Sequence, residues 1–415
     1  MFKSLKIHNW RQFESVDIQF HHKLTILTGK NGSGKTTLLN IINNALGRET
    51  SYVALTERDK NANLSYSCGF WGNVEPKDSQ SSLAIIGEVA YTDSNNTSTI
   101  TVPGKPTTKS PLFQINVEPK YSQKGFYIPS HRVIFTYQAI RNIPTQPIAQ
   151  QDAFIQYNAQ MYQRYTGALA NRSSTSIIKE ALLSFATYGY GSEVILPNPK
   201  AKNLFERIQD LLKILLPPEL GFEKILIEVP EVLLITKTGK IPLDALSGGI
   251  SSIIDVAWQI FMFSTDDEPF VVTIDEPENH LHPQMQQLIM PALIAAFPEV
   301  QFIIATHNPL VISSVVDSNI YALDYNKNHK IESNFLDFTN KAGTANQILR
   351  EVLGLPFTMP LWANEKLKQI VDKYAQLDLN KENFGKLRQE LRANGLEDFA
   401  PDTIAKVVDE AAKND

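Results

Sequence analysis

Eight residues near the start of the chain, Gly29-Lys30-Asn31-Gly32-Ser33-Gly34-Lys35-Thr36, have the types and spacing of a phosphate-binding loop, G-x-x-x-x-G-K-[ST]. Glycines at those positions let the backbone curl until its N–H groups converge on phosphate oxygens. The N-terminus of a following helix adds positive potential. Lys35 has the reach for the β- and γ-phosphates, and the Thr36 hydroxyl suits Mg²⁺. Gly29 through Thr37 are therefore the expected nucleotide-binding set, with ATP and Mg²⁺ as ligands.

Three further groups could complete a phosphoryl-transfer site. Leu246-Ser247-Gly248-Gly249 precedes an apolar helix expected over Ser252 to Phe263. The apolar run from Phe270 to Ile274 ends in Asp275 and Glu276. A strand there delivers Asp275 to the carboxyl edge of a sheet, where α/β proteins bind ligands. Asp275 would hold the metal together with Thr36, and Glu276 would orient or deprotonate the attacking water. His307 ends a second apolar run, Gln301 to Thr306, and its imidazole could hydrogen-bond the γ-phosphate. Taken alone, a Leu-Ser-Gly-Gly run reads as a helix cap, an Asp-Glu pair as a turn, and a histidine at a strand end as structural. Their order and company give them weight.

These groups need elements to hold them. Lys23 to Thr28 reads as the strand before the phosphate loop, and Thr37 onward as a helix running to about Leu46, with Gly47 as its stop. Residues 1–28 alternate as two strands around a turn containing Trp10, Arg11 and Phe13. Core packing accounts for the aromatics, and Arg11 is placed among the nucleotide-lining candidates. From Thr50 to Lys124 the chain is polar, with short β-type runs and turns at Ser94-Asn95-Asn96-Thr97 and Pro103-Gly104-Lys105-Pro106. This stretch is expected to be an antiparallel sheet with long loops. Gly125 to Ile128 is a strand. Residues 146–215 are helical, ended by Pro217-Pro218, and a hairpin follows over 225–236.

The composition is that of an ordinary globular protein: 415 residues, 43% hydrophobic, 20% charged, net charge −5. That charge implies no standing attraction to nucleic acid or membrane. A single cysteine, Cys68, excludes a disulfide framework and a thiolate metal cluster. With no apolar leader and no stretch of spanning length, the chain is expected to be cytoplasmic.

In order, Gly29–Thr36, Leu246–Gly249, Ile274-Asp275-Glu276 and His307 resemble the ATP-binding-cassette (ABC) ATPases, in particular the SMC, RecF and OLD-type branch. The opening Leu5-Lys6-Ile7-His8-Asn9-Trp10-Arg11-Gln12-Phe13 is similar to that branch's first strand. The run Asp275 to Pro283 is similar to OLD-type ATPases. The resemblance covers roughly residues 1–320. It implies an α/β fold: an ABC-type head with a mixed sheet around the phosphate loop, an antiparallel β insertion at 50–124 and a helical subdomain at 146–260. The ATPase domain would span 1–325 and a mainly helical extension 326–415.

The resemblance also implies roles. Asp275 supports the metal, Glu276 is the catalytic carboxylate, and His307 is the switch histidine. Ser247, Gly248 and Gly249 form a signature loop that reads the γ-phosphate of a partner's nucleotide. Ile250 departs from the glutamine or glutamate usual after the signature. No glutamine stands cleanly after the strand at 125–128, which leaves His131, Arg132 and Gln138 as candidates for that place. No long heptad array interrupts the cassette, so the chain is not a coiled-coil tether of the SMC kind.

About 60 residues follow Leu355, too few for the nuclease domain of OLD-type enzymes. Their helices, Trp362 to Tyr374, Lys381 to Asn394 and Pro401 to Ala412, carry apolar residues at helical spacing. These faces are expected to contact a partner, a neighbouring protomer or the ATPase core. The tail is similar to the nuclease-lacking ATPases of two-gene phage-defence systems of the Septu and PARIS kind. That similarity implies a separate nuclease or other effector subunit as partner, besides a second copy of the chain paired head to head. Two different functions compete with this one: a DNA-binding repair ATPase of the RecF kind, for which DNA would be the partner, and a transporter motor. A DNA clamp needs a basic face, and the transporter reading lacks its coupling glutamine.

Overall fold

The computed structural model describes residues 1–58, 64–68, 83–92, 96–104, 110–132, 134–140, 142–165, 172–264, 268–336, 361–377, 380–401, 403–404 and 407–408. Half of the turn expected at 94–97 and half of that at 103–106 lie outside them, as does much of the last expected helix. Two compact units are present, Met1–Ala345 and Asn346–Asp415.

The first unit opens with β1 (Phe2–Trp10), β2 (Phe13–Gln19) and β3 (Leu24–Gly29), then α1 (Lys35–Ala45). Short strands follow: β4 (Ser51–Val53), β5 (Leu55–Arg58), β6 (Leu64–Ser67), β7 (Leu83–Tyr91), β8 (Thr97–Pro103), β9 (Leu112–Gln114), β10 (Asn116–Glu118) and β11 (Gly125–Ile128). A helical lobe comprises α2 (Gln150–Tyr165), α3 (Ser174–Tyr190) and α4 (Pro199–Leu215). Three strands, β12 (Phe222–Glu228), β13 (Glu231–Thr236) and β14 (Gly239–Pro242), lead into α5 (Gly248–Phe263). The chain returns through β15 (Phe270–Asp275), α6 (Pro283–Ala296), β16 (Val300–Ala305), α7 (Pro309–Ile312), β17 (Asn319–Tyr325) and β18 (Ile331–Phe335).

One sheet of eleven strands, ordered β10-β8-β7-β1-β2-β18-β17-β3-β16-β15-β11, runs through this unit. Its β17-β3-β16-β15-β11 half is parallel. The β10-β8-β7-β1-β2 arm is antiparallel. Parallel strands are buried on both faces and read as continuous apolar runs, and every residue of β3, β15 and β16 is buried. Their shared direction brings three carboxyl ends to one edge. In register, Asp275 stands beside Ala305, and Ala305 beside Leu27. The segments after β3, β15 and β16 therefore emerge together.

Buried polar pairs lock this register. Gln301 accepts from the Phe2 amide through Oε1 at 2.9 Å and donates through Nε2 to the carbonyls of Phe2 (2.9 Å) and His21 (3.1 Å). Thr273 donates to Asn43 Oδ1 at 2.7 Å, tying α1 to β15. The helix after the phosphate loop stops where Gly47 takes a φ of 86°, a left-handed conformation that glycine tolerates at no steric cost.

Two details of the layout come from the structure. In the 50–124 stretch, β7, β8 and β10 continue the main sheet beyond β1, and among the described residues the β4–β9 and β5–β6 ribbons stand apart. The boundary expected at 325 falls inside the β17–β18 hairpin, and β18 pairs with β2, so the first unit runs on past it. Both details come from pairings between strands distant in sequence. The hairpin expected over 225–236 gains a third strand in β14.

The second unit contains α8 (Leu361–Tyr374) and α9 (Lys381–Ala393). Ala363, Leu367, Ile370, Val371, Tyr374, Leu387, Leu391, Leu396 and Val407 form its own apolar cluster. Much of the apolar surface of α8 and α9 is thus buried in this cluster, while Trp362 stays 61% exposed. A chain ending at Ala345 is accordingly expected to keep a cooperative thermal transition and to bind ATP. Aggregation of that shortened chain, seen by light scattering, would show that the head needs the tail to fold.

Candidate nucleotide site

The turn after β3 is built from left-handed glycines: Gly29, Gly32 and Gly34 have φ values of 142°, 82° and 92°. A Cβ at Gly29 would lie 2.5 Å from the Leu323 carbonyl oxygen, and one at Gly34 would lie 2.4 Å from Phe13 Cζ. Neither position has room for a side chain. Phe13 and Gln12, from the β1–β2 turn, thus form a wall against the phosphate loop. Gly34 caps α1, whose first turn holds no acidic residue to compete with a bound phosphate.

Lys35 is buried, and its Nζ donates to the carbonyls of Gly29 (2.8 Å) and Lys30 (3.2 Å). Burial lowers its pKa, while the nearby Asp275, Glu276 and Glu278 act in the opposite direction. The ammonium therefore already lies in the crook of the loop. Thr36 Oγ1 donates to Asp275 Oδ2 at 2.8 Å, joining two residues 239 positions apart. Burial pushes the Asp275 carboxyl up, as does the adjacent Glu276, whereas the Thr36 hydrogen bond, Lys35 and Arg132 favour its charged form. A hydroxyl and a carboxylate give a hard, oxygen-only donor pair, which suits Mg²⁺. A buried carboxylate held against its desolvation is relieved by a cation, so the residues fit that metal.

Glu276 has a φ of 49°, a strained conformation for a residue with a side chain. Its amide donates to the Ala305 carbonyl at 2.8 Å. One oxygen, Oε1, lies 3.2 Å from His307 Nδ1, and Oε2 accepts from Asn279 Nδ2 at 3.0 Å. The neighbouring carboxylate, Glu278, is buried and bonds the Thr306 hydroxyl. Burial raises its pKa, an effect opposed by the Thr306 bond.

Arg132 is the residue that sequence reasoning did not resolve. It is buried, and its Nη2 donates to the carbonyls of Asp275 (3.1 Å) and Glu276 (3.3 Å). It clamps the strained backbone from beneath. Burial lowers its pKa, opposed mainly by Asp255. His131 and Gln138 do not share that position. His131 is exposed beside Ser130. Gln138 accepts from the Ser173 amide at the start of α3. Asn279 received no role from sequence, although it stands in the Asp275–Pro283 run three residues after Glu276.

Arg11 lies in an aromatic box: its guanidinium carbon is 5.0 Å from the Trp10 ring centre, 5.2 Å from Tyr52 and 5.6 Å from Phe113. It also donates to the Val53 carbonyl at 2.9 Å. Its neighbours Gln12 and Phe13, rather than Arg11, are the turn residues that press on Gly34.

Ser247 is exposed and precedes α5 without a side-chain cap bond to the helix. Gly249 approaches the 279–281 segment so closely that a Cβ would sit 3.0 Å from the His280 carbonyl oxygen. Ser252 donates to the Asn279 carbonyl at 3.3 Å. The Leu246–Gly249 loop is thereby joined to the segment that carries Glu276.

The chain is similar to several known proteins. An AAA domain family model matches residues 4–213, which is 210 of 415 residues. A second model, described as an AAA domain, putative AbiEii toxin, Type IV TA system, matches residues 198–313. The Septu protein PtuA of Bacillus mycoides (strain KBAB4) is 30% identical over 156 residues, covering 36% of this chain and 21% of that protein. The Retron Ec83 probable ATPase of Escherichia coli is 24% identical over 243 residues, covering 56% of this chain and 41% of that one. The matches thus span less than half the length of these two relatives. A solved SMC head domain from Thermotoga maritima aligns with a TM-score of 0.43 at 12% identity, covering 81% of this chain and 99% of that one. Among the described residues no helix is long and apolar enough to cross a membrane. With the phosphate loop, the Thr36–Asp275 pair and the adjacent Glu276 in place, the chain belongs to the AAA-domain family of ATPases.

Proposed function

We propose that the chain is a Mg²⁺-dependent ATPase whose heads pair around nucleotide and whose nucleotide state controls a separate effector, a nuclease, in antiviral defence. The observation that carries the enzymatic part is the hydrogen bond from Thr36 to Asp275 with Glu276 next along the chain. It unites the phosphate loop, a metal-binding carboxylate and a candidate base at one sheet edge. Thr36 and Asp275 would hold Mg²⁺, which would supply positive charge to offset that developing on the phosphate. The backbone of Gly29–Gly34 cradles the phosphates, and Lys35 turns its ammonium towards them. Glu276, aimed by Arg132 and Asn279, takes the proton from the attacking water, and His307 holds the carboxylate or the γ-phosphate. Likeness to the Septu and retron ATPases supports the control of an effector and the setting in defence.

Phosphate release from ATP tests the enzymatic part: turnover is expected with Mg²⁺ and expected to vanish with a chelator. Hydrolysis that persists unchanged in chelator would overturn the metal assignment. Co-expression of the tagged chain with the product of its neighbouring gene tests the effector part. Co-elution of a nuclease is expected, and elution of the chain alone would contradict it.

A further inference from the structure

Lys179, near the middle of α3, is fully buried. Its ammonium donates to Asp244 Oδ2 at 2.5 Å, to Glu231 Oε2 at 2.8 Å and to the Gln138 carbonyl at 3.3 Å. It also stands 5.3 Å from the Tyr137 ring centre. These partners belong to three separate segments. Asp244 lies in the turn Leu243–Ala245, immediately before the signature loop. Glu231 opens β13, whose partner β14 feeds that turn. Tyr137 and Gln138 lie in the segment that follows β11. Tyr137 also donates to Glu231 Oε1 at 3.2 Å, and Gln138 Oε1 accepts from the Ser173 amide at 2.6 Å, where α3 begins. Arg132, on the same segment, clamps the backbone of Asp275 and Glu276.

A buried ammonium with two carboxylates is an expensive way to hold a fold together. Apolar residues of similar volume are commonly as stable or more so. What the ion cluster supplies is position, because both carboxylates must meet the single lysine. The Asp244 side chain is 3% exposed, and its second oxygen, Oδ1, has no hydrogen-bond partner among the described residues. Lys179 is therefore the cation that makes the buried Asp244 tenable, and Asp244 sets where the chain enters Leu246-Ser247.

We infer that Lys179 is a positioning residue for the signature loop, holding Ser247 at the place and angle from which it reaches a second copy's nucleotide. The inference rests on the two-headed reading under Proposed function. It adds that the helical lobe, through one lysine, sets the geometry of the loop that acts across the interface.

The test uses the full chain carrying Glu276→Gln, so that ATP is held rather than turned over. Binding of a fluorescent ATP analogue reports on the phosphate loop, and sedimentation with Mg-ATP reports on pairing. Lys179→Met is expected to leave analogue affinity within about twofold, as for changes remote from a site. It is expected to weaken ATP-driven pairing roughly tenfold or more, because it strands the Asp244 carboxylate. Asp244→Asn, which keeps the shape and an acceptor for Lys179, is expected to weaken pairing by about threefold in the same direction. If Lys179→Met does not fold, Asp244→Asn decides. Unchanged pairing in the folded variants would overturn the inference, as would nucleotide affinity and pairing falling in equal proportion. Ser247→Arg separates the two claims. If it leaves pairing intact, the two-headed reading fails; if it abolishes pairing while the Lys179 and Asp244 variants do not, only the positioning role fails.

Discussion

Exchanging Glu276 for glutamine is expected to stop ATP turnover and to leave nucleotide binding in place. The amide keeps the size of the side chain and can keep a hydrogen bond to His307, now 3.2 Å from Glu276 Oε1. It cannot take a proton from water. Removing a positioned general base costs roughly 10²–10⁴-fold, so phosphate release should fall by at least the lower figure. The residues that hold the phosphates, Gly29 to Thr36, are untouched, and ATP should accumulate on the protein. Steady-state phosphate release alongside equilibrium binding of a fluorescent ATP analogue checks both halves. Equal turnover in the two proteins would remove Glu276 from its assigned role.

Lys35→Ala should act one step earlier, on binding. Among the described residues the Lys35 ammonium hydrogen-bonds only the Gly29 and Lys30 carbonyls, with three carboxylates nearby. It is buried ahead of any ligand. Hydrogen bonds to a charged group contribute about 1.5–3 kcal/mol each, so affinity for ATP should drop on the order of 10- to 100-fold. Fold stability should fall little, because a buried cation held only by carbonyls is itself costly. Removing it offsets the loss of two carbonyl contacts. Titration calorimetry with ATP, paired with thermal melting, separates the two effects. Retention of wild-type affinity would contradict the placement of Lys35 at the phosphates.

The parts of the site legible in sequence are those whose chemistry sits in contiguous residues. The phosphate loop announces itself because glycine, lysine and threonine must occur at fixed spacing for one turn to surround a phosphate. Asp275 and Glu276 are legible because an apolar strand running into two carboxylates is hard to place anywhere but at a sheet edge. Arg132 was legible only as one of three candidates. Its work is to donate to two carbonyls 143 and 144 positions away, and no local pattern marks an arginine destined for burial. Arg11 stands beside the nucleotide motifs in sequence, and nothing there says that its guanidinium will pack against the Trp10, Tyr52 and Phe113 rings.

The sheet shows the same limit. The alternation of polar and apolar residues in β7 and β8 reveals strands, and nothing in it says that Val89 will stand opposite Leu5. The short strand β18 is joined to the head through its pairing of Ile331 with Phe13, a contact no window on the sequence contains. Lys179 belongs with Arg132: an ordinary helical lysine by sequence, legible as a clasp only when Glu231 and Asp244 are brought to it by the turn before the signature loop.

The central claim is that one catalytic site takes its phosphate loop from one chain and its signature loop from another. Mixing two inactive variants tests it most directly. Lys35→Ala lacks a working phosphate loop, and Ser247→Arg lacks a working signature loop, so each alone should release almost no phosphate from ATP. In a mixed pair, the intact loop of the Ser247→Arg chain faces the intact signature of the Lys35→Ala chain, and one site is whole. Equimolar mixing is predicted to restore a substantial fraction of wild-type turnover. Wild-type protein that hydrolyses ATP while the mixture stays inactive at every ratio, or a Ser247→Arg chain that is fully active by itself, would contradict the claim.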